Sequence, residues 1–191
     1  VKDFAQDEIT GELIAIRRLP ESIAKRKDGA LTLVGNGTNM ESKSPEFIGK
    51  RQEILFGTLE LDASVSGIGG LTLRYDENAH FDVEITDVEI IARARLAFLI
   101  HEEKVVRPVN ISRMKLFMNF IEPEAGYDSS MTSDLVQLGF IDSLGNREVI
   151  ATYDGRYLSA EVTCSFTGRV FGAYAVTGQL VIHMLSEVPI S

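Results

Sequence analysis

The run DGRYLSAEVTCSFTGRVFGAYAVTG, residues 154–178, decides the fold because it holds the densest set of specific features in a β-rich chain. Its second half places aromatic side chains between glycines: Phe166, Gly168, Phe171, Gly172, Tyr174 and Gly178. Glycines at this spacing in an aromatic strand indicate bulges or a close approach of another backbone. The run therefore predicts strands that lie close to their neighbours in an all-β protein.

The composition favours one folded domain over residues 1–191. This length matches one all-β domain, and the hydrophobic (45%) and charged (25%) fractions are ordinary for a globular protein. The net charge of −9 argues against nucleic acid as a partner, because phosphate binding relies on clustered Lys and Arg. The basic triplet 25–27 precedes Asp28-Gly29 and is interpreted as a solvated turn.

Cysteine usage and hydropathy give weaker indications. Cys164 is the single cysteine, so it forms no intrachain disulfide, which fits a reducing, cytoplasmic setting. Its run Val162-Thr163-Cys164 resembles a strand, and a small buried side chain is expected there. No window approaches the ~18 apolar residues of a membrane span, so no membrane partner is expected. The sequence begins at Val1 without Met, which suggests a piece of a longer polypeptide.

Alternation of apolar and polar residues predicts about a dozen short strands. The clearest are residues 31–33, 49–65, 71–75, 81–90, 90–100, 113–121, 135–141, 147–153 and 179–185. A change of inward phase predicts a bulge near Gly57, residues 67–70 are interpreted as a turn, and MESKSPEF (residues 40–47) as a surface loop. In FDVEITDVEI (residues 81–90) the acids are expected to face outward, where they discourage unwanted sheet pairing. The pattern predicts a two-sheet antiparallel β-sandwich of the jelly-roll type.

Catalytic chemistry is not evident in the residues. Glycoside hydrolysis needs two carboxyl groups with different environments, and the pattern singles out none of the 28 Asp and Glu residues. His80, His101 and His183 are too far apart for a zinc motif and are expected at strand edges or in loops. A structural calcium ion held by Asp3 and Asp154 is an alternative, although both acids are expected to cap turns. No catalytic residue, no cofactor and no other metal site is predicted.

Independent glycan binding is disfavoured by the aromatic residues. Sugar rings usually stack on exposed aromatic platforms, and this chain has no Trp. Tyr127, in the loop EPEAGYDSSMTSD (residues 122–134), is the best candidate for such a platform.

Four blocks of sequence resemble one known family in order. They are GALTLVGNG, SPEFIGKRQ, GIGGLTLRYDENAHFDVEI and DGRYLSAEVTCSFTGRVFGAYA, and the Arg51-Gln52 pair and the Phe166-Thr167-Gly168 triplet are the most specific parts. The family is the C-terminal concanavalin A-like β-sandwich domain of family 43 glycoside hydrolases, the β-xylosidase and α-arabinofuranosidase group. Tryptophans that are common in its early and late strands are missing here, which leaves the subfamily and the sugar open.

The resemblance implies a non-catalytic accessory domain. In such enzymes the catalytic carboxylates, which carry out inverting hydrolysis, belong to a preceding five-bladed propeller, and the sandwich packs on it and helps to wall the substrate pocket. Its implied partners are that propeller and, through it, a xylo- or arabino-oligosaccharide. The residues implied to lie near the substrate are Phe166, Thr167, Arg169 and Tyr127, and those implied to be structural are Arg51, Gln52, Gly168 and Asp154.

Three alternatives stay open at the level of sequence. The chain could be a free-standing carbohydrate-binding module of the lectin type, a structural domain that forms homo-oligomers, or, least favoured, an enzyme in its own right. For Phe166, the sequence gives equal weight to a position beside the sugar pocket and to a position in the core.

Overall fold

A computed structural model describes residues 2–3, 9, 12–109, 111–122 and 135–190 of the chain. In these ranges the strands are β1 (Lys2–Asp3), β2 (Lys25–Lys27), β3 (Ala30–Val34), β4 (Glu46–Arg51), β5 (Gly57–Asp76), β6 (Ala79–Ile85), β7 (Glu89–Leu96), β8 (Leu99–Val106), β9 (Arg113–Ile121), β10 (Leu135–Ile141), β11 (Arg147–Asp154) and β12 (Val170–Pro189). The helices are α1 (Pro20–Ile23), a 3-10 helix (Gly155–Leu158) and α2 (Ala160–Thr163). None of these helices is long and apolar enough to span a membrane.

Two long strands, β5 and β12, form the frame of the molecule. Each has 20 residues, and they pair antiparallel from Gly57 opposite Pro189 to Arg74 opposite Val170. The first half of β5 also pairs with β9, and its second half pairs with β6. Both strands therefore pass from one layer of the fold to the other, and the bend lies at residues 67–70 of β5 and 176–178 of β12.

The remaining strands extend the two layers. The first layer has the order β11-β10-β9-β5-β12-β3-β2, with β1 also on β12, and the second has β8-β7-β6-β5-β12-β4. The layers face each other across the core, where the ring centroids of Phe81 and Tyr153 lie 5.2 Å apart. The Tyr153 hydroxyl also donates to the carbonyl oxygen of Ala92 over 3.3 Å. The predicted antiparallel β-sandwich is confirmed.

Alternate residues of the strands fill the space between the layers. Fully buried examples are Leu71, Leu73, Phe81, Val83, Leu116, Phe120 and Phe171. Burying one such side chain contributes about 1.5–3 kcal/mol relative to leaving it in water. The strands predicted at residues 31–33 and 113–121, and the predicted hairpin of residues 135–141 and 147–153, are confirmed.

The predicted turn at residues 67–70 is wrong. These residues lie inside β5, and Gly69 and Gly70 stay paired with β12 and β6. A Cβ atom on Gly70 would overlap the carbonyl oxygen of Val83. The glycines therefore allow a strand to bend while it remains in contact with its neighbours, rather than end it.

Several strand boundaries also differ from the prediction. The single strand predicted over residues 49–65 is two strands, because β4 ends at Arg51 and β5 begins at Gly57, where φ is 143°. The strand predicted over residues 90–100 is interrupted by a two-residue turn at Ala97 and Phe98. The basic triplet of residues 25–27 is the short exposed strand β2, and the closing strand predicted over residues 179–185 is the second half of β12.

Cys164 is not in a strand and is not buried. It follows α2 in a left-handed conformation with φ 54°, and its side chain is exposed. The β-branched residues before it suggested a strand, but the turn that ends α2 sets the local geometry instead.

The acids of β6 face away from the core, as predicted, but they are buried rather than exposed. Asp82 and Glu84 are both buried, and the Tyr174 hydroxyl that bonds Glu84 belongs to a buried cluster with Met40 and Phe47. MESKSPEF is a loop up to Pro45, as predicted, but its first residue, Met40, is buried rather than exposed.

Candidate functional site

The ends of β5 and β12 meet at one end of the sandwich because both strands bend at the other end. Gly57 pairs with Pro189 there and Arg74 pairs with Val170. We call this region the Phe166 end and define it as residues 51–55, 76–78, 97–98 and 154–169. Most of the residues that sequence analysis connected with function lie in it.

Phe166 is one of two phenylalanines at this end whose side chains are almost fully exposed. Its side chain is 94% exposed, so the interpretation of Phe166 as a core residue is wrong. A phenylalanine left in water forgoes about 1.5–3 kcal/mol of burial. An exposed aromatic ring of this kind is able to contact an apolar partner surface or the face of a sugar ring.

Hydrogen bonds on both sides hold the loop of residues 164–169 in place. The guanidinium of Arg51 donates to the carbonyl oxygen of Thr167. The Thr167 hydroxyl donates to the carbonyl oxygen of Tyr75 over 3.2 Å, and Gln52 N donates to the carbonyl oxygen of Arg169 over 3.1 Å. The loop is therefore fixed to β4 and β5, and Phe166 is presented from a braced position.

Arg169 is turned toward the body of the domain. Its Nε donates to the carbonyl oxygen of Leu158 over 2.9 Å, and its Nη2 donates to that of Gly155 over 2.6 Å. These carbonyls belong to the 3-10 helix, which begins after Asp154. The Asp154 carboxylate accepts from Arg156 N over 2.9 Å, and its hydrogen bonds with the Arg156 side chain are the largest cause of its lowered pKa.

The geometry gives two of the predicted structural residues a visible role. Arg51 lies beside Gly168, whose φ of 74° suits glycine, and a Cβ there would be 3.5 Å from the Arg51 Nη1. Gln52 fixes the next turn of the chain, since its Nε2 donates to the carbonyl oxygen of Ile54 over 2.7 Å. Tyr127, the remaining predicted substrate residue, lies outside the described residues.

The structure gives no support to the alternative of a bound calcium ion. Among the described residues, no group of three His, Cys, Asp or Glu side chains could hold a metal ion. Asp3 accepts from Leu185 N over 3.2 Å, and Asp154 is occupied by Arg156.

A buried polar network on the outer face of the second layer was missed by sequence analysis. Asp82 is fully buried; it accepts from the hydroxyl of Thr72 over 2.7 Å and lies 2.8 Å from His80 Nδ1. Burial alone would raise the pKa of Asp82, but His80, Arg93 and Thr72 outweigh burial and lower it. His80 is therefore a buried strand residue, not the edge or loop histidine that was expected.

The network continues to Glu84 and Tyr174. The Tyr174 hydroxyl donates to the Glu84 carboxylate over 2.9 Å. The pKa of Tyr174 is raised well above its usual value, mainly by burial and also by the negative charge of Glu84. Arg93 lies 3.0 Å from Glu84 and 2.7 Å from Glu102. This network could have been predicted from the sequence, because β6 has polar residues at every second position and β7 places Arg93 and Arg95 opposite them.

Phe98 is a second residue that was missed. It lies at the tip of the β7–β8 hairpin and is 98% exposed. Sequence analysis placed it inside a continuous strand, so its position in a turn was not recognised.

A comparison with known protein families shows to which family the chain belongs. The family model described as the beta xylosidase C-terminal concanavalin A-like domain matches residues 1–180. The chain belongs to this family. It is therefore an accessory domain of a glycoside hydrolase, as the resemblance implied.

Solved structures of related architecture support the fold. "Bacteroides ovatus Xyloglucan PUL GH43B" is 22% identical with a TM-score of 0.82, over 99% of this chain and 39% of that protein. A xylan beta-1,4-xylosidase from Bacillus halodurans C-125 is 15% identical with a TM-score of 0.72, over 98% of this chain and 40% of that protein. The chain thus spans about two fifths of the length of these two proteins.

A smaller protein has a similar architecture over its whole length. The carbohydrate binding module CBM66 from Bacillus subtilis is 10% identical with a TM-score of 0.58, over 93% of this chain and 95% of that protein. No protein with a curated description matches the sequence significantly.

Proposed function

We propose that this domain serves a family 43 glycoside hydrolase that acts on xylosides or arabinosides, by packing on its catalytic propeller. Family membership supports this proposal, as do two proteins of similar structure, one of which is named GH43B and the other a xylan beta-1,4-xylosidase. In this proposal the loop of residues 164–169 borders the substrate pocket of the propeller. The observation that carries it is Phe166, an almost fully exposed aromatic residue on a braced loop.

The position of β1 supports the same arrangement. β1 pairs with β12 at Ser186 and Glu187. The Glu187 carboxylate accepts from the backbone nitrogens of Glu53 and Ile54, over 2.8 and 2.9 Å, so β1 lies beside the Phe166 end. A catalytic domain that is joined through β1 would start its path at the end where Phe166 is presented.

The residues of this domain would shape the pocket rather than carry out the chemistry. Two carboxyl groups of the propeller would act as acid and base on the glycosidic bond. The Phe166 ring would supply an apolar wall, which excludes water beside a sugar ring. Arg51, Thr167 and Arg169 would be positioning residues, because their polar groups are bonded to backbone carbonyls of this domain.

Substitution of Phe166 in the parent enzyme tests the proposal. We expect Phe166→Ala to lower kcat/KM on an aryl xyloside or arabinoside about 10-fold, or about 1.4 kcal/mol of transition-state stabilisation. The free energy of unfolding of the 191-residue chain should change by less than about 0.5 kcal/mol, because the side chain is exposed.

Leu144 provides the matched control, since it is 85% exposed in the β10–β11 turn. Leu144→Ala should leave kcat/KM unchanged. Equal kcat/KM for wild type and Phe166→Ala would contradict the pocket role. If the isolated chain instead bound xylan or arabinan saturably, and lost that binding on Phe166→Ala, the likeness to the carbohydrate binding module would become the better guide to function.

A further inference from the structure

β8 is an exposed edge strand of the second layer. Among the described residues it pairs only with β7, so one side of its backbone carries N–H and C=O groups that no other described strand uses. Its sequence is LIHEEKVV, and the apolar side chains of Leu99, Ile100 and Val106 are exposed. An edge of this length with exposed apolar side chains is able to pair with a further strand.

The pairing with β7 fixes the face of the sheet on which each side chain of β8 lies. Glu102 is opposite Arg93 and accepts from its Nε over 2.7 Å, so both lie on the outer face. The outer residues of β8 are therefore Ile100, Glu102, Lys104 and Val106. His101 lies on the inner face, where its Nδ1 is 3.2 Å from the Tyr153 hydroxyl. The inner residues of β8 are Leu99, His101, Glu103 and Val105.

The outer face of β8 is complementary to a second copy of itself. Two identical strands that pair antiparallel extend the sheet only if outer side chains face outer side chains. When Glu103 lies on the two-fold axis, Glu102 faces Lys104 of the second copy and Ile100 faces Val106. The two-fold symmetry makes each of these pairs occur twice. Opposite charges and apolar pairs directly across from each other stabilise antiparallel strands.

Glu103 is the residue that faces its own copy in this register. Its carboxylate lies 3.5 Å from His101 Nε2, on the inner face. Two carboxylates at the axis repel, so this position weakens the association. An axis at Glu102 or at Lys104 would separate the Glu-Lys pairs and place like charges opposite each other on the outer face. The axis at Glu103 is therefore the register that the charges of the outer face favour.

We propose that β8 is the interface between two copies of this chain, paired antiparallel about a two-fold axis at Glu103. The second layers of the two copies would then form one continuous sheet. The occupant of the edge is a second copy because the charges and the apolar side chains of the outer face match their own reversed order. The inference goes beyond the proposed function and does not depend on it.

Sedimentation equilibrium of the 191-residue chain tests the inference. We expect a monomer–dimer equilibrium with a Kd of about 10–100 µM, since one pair of short strands buries less surface than a standard interface. Lys104→Glu should weaken dimerisation at least about 10-fold, because two attractive pairs become repulsive. The double variant Glu102→Lys with Lys104→Glu should restore the dimer, because the opposite charges face each other again.

Lys27→Glu provides the matched control. It makes the same change in net charge on β2, an exposed edge strand of the first layer, and should leave the Kd unchanged. Glu103→Gln should tighten the dimer about 3-fold, since it removes the repulsion at the axis. A chain that stays monomeric up to about 1 mM, or equal values of Kd for wild type and Lys104→Glu, would overturn the inference.

Disulfide cross-linking tests the register in a Cys164→Ser background, which removes the exposed native thiol. Glu103→Cys should form an interchain disulfide on oxidation, because residue 103 faces its own copy. His101→Cys should not, because the two copies of residue 101 would lie farther apart than the roughly 7 Å between Cα atoms that a disulfide can span. Urea unfolding checks that both variants are folded. Cross-linking of His101→Cys, or none with folded Glu103→Cys, would contradict the proposed interface.

Discussion

Asp82 is the buried charge on which the outer face of the second layer depends. It lies between Thr72 and His80, with Arg93 at 3.5 Å, and all of its partners are on strands of the same layer. Removal of one member of such a buried network costs more than its own hydrogen bonds, because the remaining polar groups lose their partner.

We expect Asp82→Asn to lower the free energy of unfolding by about 3 kcal/mol at pH 7. The folded pKa of Asp82 is lowered, so its contribution is present above the unfolded pKa of about 4 and is lost as pH falls through the folded value. Urea unfolding between pH 7 and 2 should therefore show a steeper acid loss for wild type than for Asp82→Asn. Parallel pH profiles for the two proteins would contradict this assignment.

Two neighbouring residues show what sequence can and cannot give at this scale. Phe166 could be singled out because the triplet Phe166-Thr167-Gly168 resembles a family motif, but its exposure was left open, since an aromatic residue suits a core and a surface equally. Cys164 was placed wrongly because Val162 and Thr163 favour a strand. The structure ends α2 there instead, and local propensity is overridden by the turn that follows.

At the scale of elements, the bend shared by β5 and β12 determines how the two layers close. Gly178 lies opposite Gly67, has φ 68°, and a Cβ atom there would overlap the carbonyl oxygen of Ser66. The register also shifts between Ala175 and Thr177, which marks a bulge. Both features let two long strands turn together without losing their pairing.

We predict that Gly178→Ala lowers the free energy of unfolding by about 3 kcal/mol or more, because it adds an overlap with Ser66 to the backbone cost. Gly145 is the matched control: it has φ 88° and open space around it, so Gly145→Ala should cost only about 1 kcal/mol. Chemical denaturation of both variants measures the difference. Similar losses would show that the bend tolerates a side chain.

The wrong prediction of a turn at residues 67–70 also results from the glycines at this bend. Glycine clusters usually mark turns, and the sequence does not show whether a glycine ends a strand or lets another backbone approach. The alternation of apolar and polar residues correctly predicted β3, β9 and the β10–β11 hairpin, because each is a simple strand or pair of strands. The bends in β5 and β12 depend on partners that lie 111 residues apart in the chain, as in the pairing of Gly178 with Gly67.

At the scale of the whole molecule, fold class followed from strand number and turn spacing, whereas the location of the site did not. The sequence placed Arg51, Asp154 and Phe166 in separate segments. Only the U-shaped course of β5 and β12 brings those segments to one end. Phe98 and the buried acids of β6 needed the structure, because exposure at a turn and burial under a loop are tertiary properties.

Fluorine NMR of the parent enzyme directly measures the contact that we propose between Phe166 and the substrate. The parent enzyme would carry 4-fluorophenylalanine at position 166 in one sample and at position 98 in another, and each would be titrated with xylose, arabinose and xylobiose. We predict a saturable shift of the 166 resonance at the concentration of sugar that inhibits or saturates the enzyme, with the 98 resonance unchanged. A 166 resonance that stays constant while the enzyme is saturated by each of these sugars would contradict it.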